Sequence, residues 1–454
     1  MAKQPEAALR TGSAGPARAG ALAALLERQF HLSEHGTSPR TEVLAGITTF
    51  LTMAYIIFVN PAILSATGMD PGALFVATCL ASAFGSAMMG LIANYPIALA
   101  PGMGLNAYFA FGVVKGLGYT WQTALGAVFI SGVIFLILSV LPVREWIINA
   151  IPRSLKMAIG AGIGLFLGII ALQEAGVIVA HPVTLVTLGS LHAPATILAI
   201  LGFFIMVALD RLRVPGAIII AILGTAAVGI LFGVSQFKGI FAAPPSLAPT
   251  FFALDLSGAL EQGLLAIIFT FLFVDLFDNT GTLIGVAQRA GLIGPDGRIP
   301  RLGRALICDS SAAIMGSVLG TSTTTSYIES AAGVKAGGRT GMTAVVVALL
   351  FLAALVLSPL ANTIPSYATA PALLYVACLM TRGLAEIDWE DATEFVPAVV
   401  TAIAMPLTYS IAHGIAFGFI SYAAIKLLSG RIKELNIALI ILAVAFIAKF
   451  AWLS

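Results

Sequence analysis

Apolar runs, each about as long as the roughly 20 residues a bilayer-spanning helix needs, recur along nearly the whole chain, and short polar breaks between them hold most of the charge. They predict spans over residues 43–59, 75–93, 97–114, 124–140, 155–172, 193–208, 215–232, 260–287, 305–319, 321–334, 342–357, 368–380, 395–409 and 411–428, about fourteen in all. A further apolar stretch over 436–450 either spans or lies on the surface. The runs are continuous rather than alternating, so the fold class is an all-α polytopic membrane protein and not a barrel. Two spans break the pattern. The third contains Pro101-Gly102-Met103-Gly104-Leu105-Asn106-Ala107-Tyr108, and the tenth contains Thr321-Ser322-Thr323-Thr324-Thr325-Ser326-Tyr327-Ile328-Glu329-Ser330 after Gly320.

The charges orient the chain. With the N-terminus in the cytoplasm, the loops on that side hold Arg144, Arg153 and Lys156, then Arg211 and Arg213, then Arg289, Arg298, Arg301 and Arg304, then Lys335 and Arg339, then Arg382, and finally Arg431 and Lys433. The opposite side holds Lys115 and Lys238. That asymmetry is the positive-inside rule, and dropping one span would scramble it, so the count through Leu428 is even. The first forty residues carry Lys3, Arg10, Arg18, Arg28 and Arg40 and read as a cytosolic tail, partly an amphipathic helix. Their apolar patch, Ala19 to Leu26, is too short to cross a membrane and lacks a small-residue cleavage site.

Composition agrees. Of 454 residues, 59% are hydrophobic and 10% charged, and the mean hydropathy of +1.01 lies outside the range of soluble globular proteins. A net charge of +2, with basic residues in loops rather than on a patch, gives no footprint for nucleic acid. Cys79, Cys308 and Cys378 have neither disulfide nor metal spacing and read as packing residues.

The two halves echo each other. Ile151-Pro152 opens one Gly/Ala-rich span and Ile364-Pro365 another, and each broken span is a Gly-marked interruption followed by small polar residues and a tyrosine. Seven spans per half is an odd number, so the halves must sit upside down relative to one another, a 7+7 inverted repeat whose broken helices meet near the midplane around a substrate. The bland alternative is that Gly and Pro are simply common in membrane helices.

Ionisable residues inside spans cost about 2.5 to 3.5 kcal/mol each, so each needs a reason. Asp275, Asp278 and Thr282 share a face of the eighth span, Asp309 lies early in the ninth, and Glu329 lies in the tenth. If the tenth span is helical from about Thr321, then Ser322, Thr325, Ser326 and Glu329 line one face. Asp309 reads as a structural carboxylate, and Asp278 and Glu329, flanked by small polar residues, as functional ones. His413 reads as a surface or helix-end histidine. Carboxylates in a low-dielectric cavity can exchange protons in the physiological range and accept from N–H groups, while Asn106 and half-helix N-termini can donate. A flat heterocycle with alternating donors and acceptors satisfies both. An anionic substrate should instead meet Arg or Lys in the core, and none is expected there.

The segments Thr41 to Phe50, Pro101 to Tyr108, Asp275 to Thr282 and Gly320 to Gly333 closely resemble the nucleobase:cation symporter family, in its azaguanine-type branch of adenine, guanine and hypoxanthine permeases. The resemblance runs from about Thr41 to Leu428. It implies a core domain of spans one to four and eight to eleven and a gate domain of the rest. The boundaries are then 1–40 for the tail, 41–142 and 258–358 for the core, 143–257 and 359–430 for the gate, and 431–454 for a C-terminal apolar segment. It also implies proton-driven uptake by a homodimer in the cell (inner) membrane, the core moving elevator-like against the gate, with no cofactor or metal. Carried over residue by residue, it puts Glu329 and Asp278 on the base, with Asn106, Asp275, Thr324, Thr325 and Ser326 lining or supporting the site. The uracil and xanthine branches carry an ionisable group where this chain has Thr282, so coupling falls to Glu329, Asp278, Asp275 or Asp309.

Alternatives are a uracil or xanthine permease, or a related anion carrier, and, more remotely, a membrane-embedded enzyme. The last would want His or Cys at ligand spacing or an activated nucleophile beside the carboxylates.

Overall fold

A computed structural model describes residues 21–141, 151–260, 264–292 and 299–452. Lys3, Arg10, Arg18, Arg144 and Arg298 lie outside the described residues. After a short helix α1 (Ala21–Phe30) the chain forms α2 (Pro39–Met53), α3 (Ile56–Ser65) and α4 (Pro71–Met88). Strand β1 (Leu99–Pro101) then leads into α5 (Met103–Ala107), which continues as a wider π-helix over Tyr108–Gly116. Next come α6 (Trp121–Val140), α7 (Arg153–Glu174), a hairpin of β2 (Ile178–His181) and β3 (Leu185–Leu188), α8 (Pro194–Arg211), α9 (Ala217–Leu231) and the single turn α10 (Leu256–Ala259). The second half runs α11 (Leu265–Arg289), α12 (Leu302–Leu319), β4 (Thr324–Ser326), α13 (Ser330–Lys335), α14 (Gly341–Ala354) and α15 (Ser358–Thr363). It ends with α16 (Ser366–Thr381), α17 (Ala392–Leu407), α18 (Ile411–Leu428) and α19 (Ile437–Trp452).

Among the described residues, 10 helices are long and apolar enough to cross a membrane, and shorter apolar helices lie at Ala217–Leu231, Ala392–Leu407 and Ile437–Ala448. The fold is therefore polytopic and helical, as the hydropathy predicts. Helix starts follow local chemistry. Ser38 and Asp70 cap α2 and α4 by accepting backbone N–H groups, each followed by a proline at the first helical turn, where no N–H is missed. The β2–β3 hairpin occupies a stretch to which the hydropathy pattern assigns no element. Cys79 and Cys308 are buried as expected, but Cys378 is exposed, because it lies on the outward face of α16.

The helices pack in two sets. In one, α14 lies on α2 and α4, α12 on α4 and α6, α11 on α6, and α13 on α2; in the other, α7 lies on α16 and α17, α17 on α18, and α8 on α9 and α16. They meet closely where α5 crosses α7: a Cβ on Gly104 would come within 2.5 Å of Ile163 Cγ2.

A buried carboxylate fastens the first set. Glu42, fully buried on α2, accepts from the N–H groups of Arg339 (2.8 Å), Thr340 (3.3 Å) and Thr343 (3.2 Å) and from the Thr343 hydroxyl (2.6 Å), so it caps the start of α14 from across the bundle. Asn94 Oδ1 takes the Gly341 N–H at 2.6 Å beside it. Removing a buried acceptor strands all of its donors. Glu42→Ala is expected to destabilise the protein by about 3 kcal/mol, read as a lowered melting temperature of the solubilised protein; an unchanged transition would refute the clamp.

Candidate functional site

The polar centre is built on two short strands where helices would otherwise continue. β1 and β4 pair antiparallel, Leu99 with Ser326, Ala100 with Thr325 and Pro101 with Thr324. Further bonds extend the ladder at both ends: Gly102 N–H to Thr323 O (2.9 Å) and Tyr327 N–H to Ala98 O (3.0 Å). Side chains finish the edges. Ser86 accepts the Leu99 N–H at 2.9 Å, Ser330 accepts the Ala98 N–H at 3.0 Å, and the Tyr327 hydroxyl donates to Pro101 O at 2.6 Å.

The tenth segment is therefore extended where the sequence reading has a helix from Thr321. Its β-branched threonines favour the pleated backbone, and pairing lets two non-helical stretches satisfy each other away from water. The helix begins only at Ser330, so the single face of Ser322, Thr325, Ser326 and Glu329 does not form. Alternation instead sends Thr324 and Ser326 toward α12 and Thr325 to the opposite side, against Gly102. A Cβ on Gly102 would sit 2.8 Å from Thr325 Cγ2, so any larger residue would displace the Thr325 side chain.

Glu329 sits at the N-terminal end of α13 and accepts from the Tyr55 hydroxyl at 2.6 Å. Tyr55 lies at the junction of α2 and α3, where the backbone tightens to i−3 hydrogen bonds, Phe58 N–H to Tyr55 O among them, shortly before Pro61. α2 thus holds the Glu329 segment at both ends, by Tyr55 at one and by Glu42 at the other. Between them the backbones almost touch: a Cβ on Gly333 would lie 2.6 Å from Ala45 O.

Behind the strands, Asp309 on α12 accepts from the Ser326 hydroxyl at 2.9 Å and from the Asn279 amide of α11. This carboxylate ties three elements together. Asp275 is buried one turn before Asn279 on α11, and Thr282 is half-buried. The Asp278 side chain lies outside the described residues. Asn106 donates to Asn60 Oδ1 at 2.6 Å, and Asn60 donates to Thr78 (2.7 Å) and Thr321 (2.9 Å). The Thr78 hydroxyl spends its own proton on Leu74 O at 2.6 Å, which turns the Asn60 amide nitrogen toward it and leaves Asn106 Oδ1 buried with no partner among the described residues. Asn106 therefore presents an acceptor, where the sequence reading has a donor. The hydroxyls of Ser322, Thr324 and Thr325 are likewise buried without protein partners among the described residues.

Tyr55, Asn60 and Asn279 escape the sequence reading. The available signal for Asn60 is an Asn-Pro pair inside an apolar run; for Tyr55 there is none, since its partner lies 274 residues away. Lys426 is also missed. It is fully buried within α18, contrary to the expectation of no cation in the core, and is paired with Glu394 (2.7 Å) and Glu434, which neutralise it and leave no free charge for an anion. His413 opens α18 next to its cap Ser410, a helix-end position as expected. A groove of about 640 Å³ between α7, α16 and α17, lined by Gly164, Gly168, Leu374, Cys378, Ile403 and Leu407 among others, is almost wholly apolar and offers a polar ligand no set of donors and acceptors. Tyr55→Phe keeps the ring and removes the Glu329 donor; ligand affinity is expected to fall about tenfold in equilibrium binding with the folded yield unchanged, and wild-type affinity would take Tyr55 out of the site.

A model of a permease family matches residues 40–417. The chain is 52% identical to the adenine permease AdeP of Escherichia coli (strain K12) over 95% of this chain and 97% of that one. It is 50% identical to the guanine/hypoxanthine permease PbuG of Bacillus subtilis (strain 168) over 94% and 99%. In shape it resembles the transmembrane domain of the cyanobacterial bicarbonate transporter BicA, with a TM-score of 0.61 at 16% identity, covering 84% of this chain and 97% of that one.

Proposed function

We infer the function from one premise: the chain belongs to the xanthine/uracil permease family. It is a permease for purine nucleobases, adenine, guanine or hypoxanthine, and not an enzyme. The observation that carries this is about half identity, along more than nine-tenths of both chains, to permeases for adenine and for guanine/hypoxanthine. That identity favours purines over the uracil or xanthine alternative, and the neutralised Lys426 speaks against an anion carrier.

We propose that the base lies beside the β1–β4 pair, with Glu329 accepting from its N–H groups, Asp278 and Asp275 contributing from α11, and Thr325, Thr324, Ser326 and Asn106 lining or supporting the site. What supports this is chemistry. A purine edge alternates donors and acceptors, and buried hydroxyls and a carbonyl without protein partners among the described residues gain about 1 to 3 kcal/mol each when a ligand satisfies them. Uptake is driven by protons held on Glu329, Asp278, Asp275 or Asp309, and Thr282 contributes no charge.

The 10 long helices, the shorter Ala217–Leu231 and Ala392–Leu407, and the two strand-helix segments make fourteen segments, a number that supports a 7+7 inverted repeat. Each half presents a helix, a strand packed on it and a short helix in the same order, and antiparallel pairing is what two oppositely inserted halves require. The two packing sets support a core (41–142 and 258–358) that moves elevator-like against a gate (143–257 and 359–430). The protein works as a homodimer in the cell (inner) membrane with its N-terminus in the cytoplasm.

Uptake of radiolabelled adenine with a panel of unlabelled bases at two external pH values tests substrate and coupling together. Competition by adenine, guanine or hypoxanthine but not uracil, and faster uptake at the lower pH, are expected; competition by uracil alone would overturn the reading. Glu329→Gln is expected to abolish accumulation with the protein still in the membrane, and Asp278→Ala to raise the half-saturating base concentration; normal behaviour of either variant removes that residue from the site.

A further inference from the structure

The last helix, α19, lies along α18 and runs antiparallel to it. Its root is near Lys426, whose ammonium pairs with Glu434 in the preceding turn, and its tip reaches the start of α18, where the Phe450 ring lies 5.7 Å from His413 and 5.4 Å from Phe417. Leu439, Ala443 and Phe446 are buried at a spacing of three to four residues, while Ile437, Ile440, Ile441, Val444 and Ile447 form an exposed apolar stripe suited to lipid. Asn436 caps the helix by accepting the Leu439 N–H at 2.8 Å.

The root is anchored on the α17–α18 side. Arg431 pairs with Asp391, the N-cap of α17, whose carboxyl is pulled down to about 2 by the Thr393 hydroxyl and N–H and by the Arg431 guanidinium. Lys426 pairs with Glu394 of α17 at 2.7 Å. Two rings reach across to the other packing set: Phe419 of α18 lies 5.6 Å from Phe273 of α11, and Phe446, 6.1 Å from Phe419, lies 6.2 Å from Phe269 of α11 and widens that contact. Phe269 packs on Phe273 at 5.4 Å, two residues before the buried Asp275.

We propose that α19 is a strap carried by α18, and that Phe446 latches the carboxylate-bearing helix α11 and slows its displacement. This rests on the reading that the core moves against the gate to carry a base. If α19 stays with α17 and α18 while α11 moves, the Phe446–Phe269 contact breaks in each cycle. Edge or tilted aromatic pairs add attraction beyond the area they bury, so the latch favours the arrangement in which it is closed.

Full-length protein in proteoliposomes, assayed for adenine and hypoxanthine exchange and for equilibrium binding, tests the strap. Phe446→Ala is expected to speed exchange roughly two- to tenfold with affinity unchanged, and Phe446→Leu to fall between; unchanged exchange, or a loss of affinity in parallel, overturns the latch. Should Phe446→Ala not fold, Phe446→Leu carries the same test. In a background lacking Cys378, joining Phe269→Cys to Phe446→Cys with a reducible thiol cross-linker is expected to stop exchange until reductant restores it, and full exchange while cross-linked overturns the proposal. A wild-type protein that neither binds nor exchanges any base would instead overturn the permease reading.

Discussion

An extended backbone surrounded by hydrocarbon can bond only to what the protein brings to it. β1 and β4 each supply what the other lacks, and Ser86, Ser330 and the Tyr327 hydroxyl complete the edges. Most of the polar centre follows from that requirement. The two strands must be adjacent, so α4 and α12, on which they pack, must be adjacent as well, and the short helices that follow them start from fixed points. Glycine at 102 is a consequence of the same closeness.

Two further fastenings turn the ladder into a defined site. α2 grips the Glu329 segment through Tyr55 and Glu42, with Gly333 permitting the contact between them. Asp309 grips β4 and α11 together through Ser326 and Asn279. Both devices use a buried carboxylate with several donors. Such a group is expensive to bury alone and strongly destabilising to disconnect, which suits it to fixing geometry rather than to adding stability.

Much of this was legible in the sequence because the bilayer makes severe demands on it. A helix in lipid must be apolar over its whole length, so the span 411–428 is predicted to the residue and most others to within a few. The two interruptions were legible as well, since a Gly-marked break with small polar residues recurs at matching places in both halves. What the interruption becomes was not: Thr-rich segments pack as strands or as helix starts, and only the partner strand, more than 200 residues away, decides. Single polar residues such as Tyr55 and Asn60 give no local sign of their partners. Lys426 stands in view inside the span 411–428; its burial was not legible, because its counter-charges, Glu394 and Glu434, come from outside its own helix.

The short ladder carries a consequence for how this protein can change over generations. Side chains on a strand alternate, so adding or deleting one residue between Gly320 and Thr324 would turn Thr325 toward α12 and Ser326 away from Asp309. A point substitution in that loop alters one position, whereas a change of length inverts the whole surface at once. Descendants can therefore retune this segment one position at a time, by replacement and not by insertion.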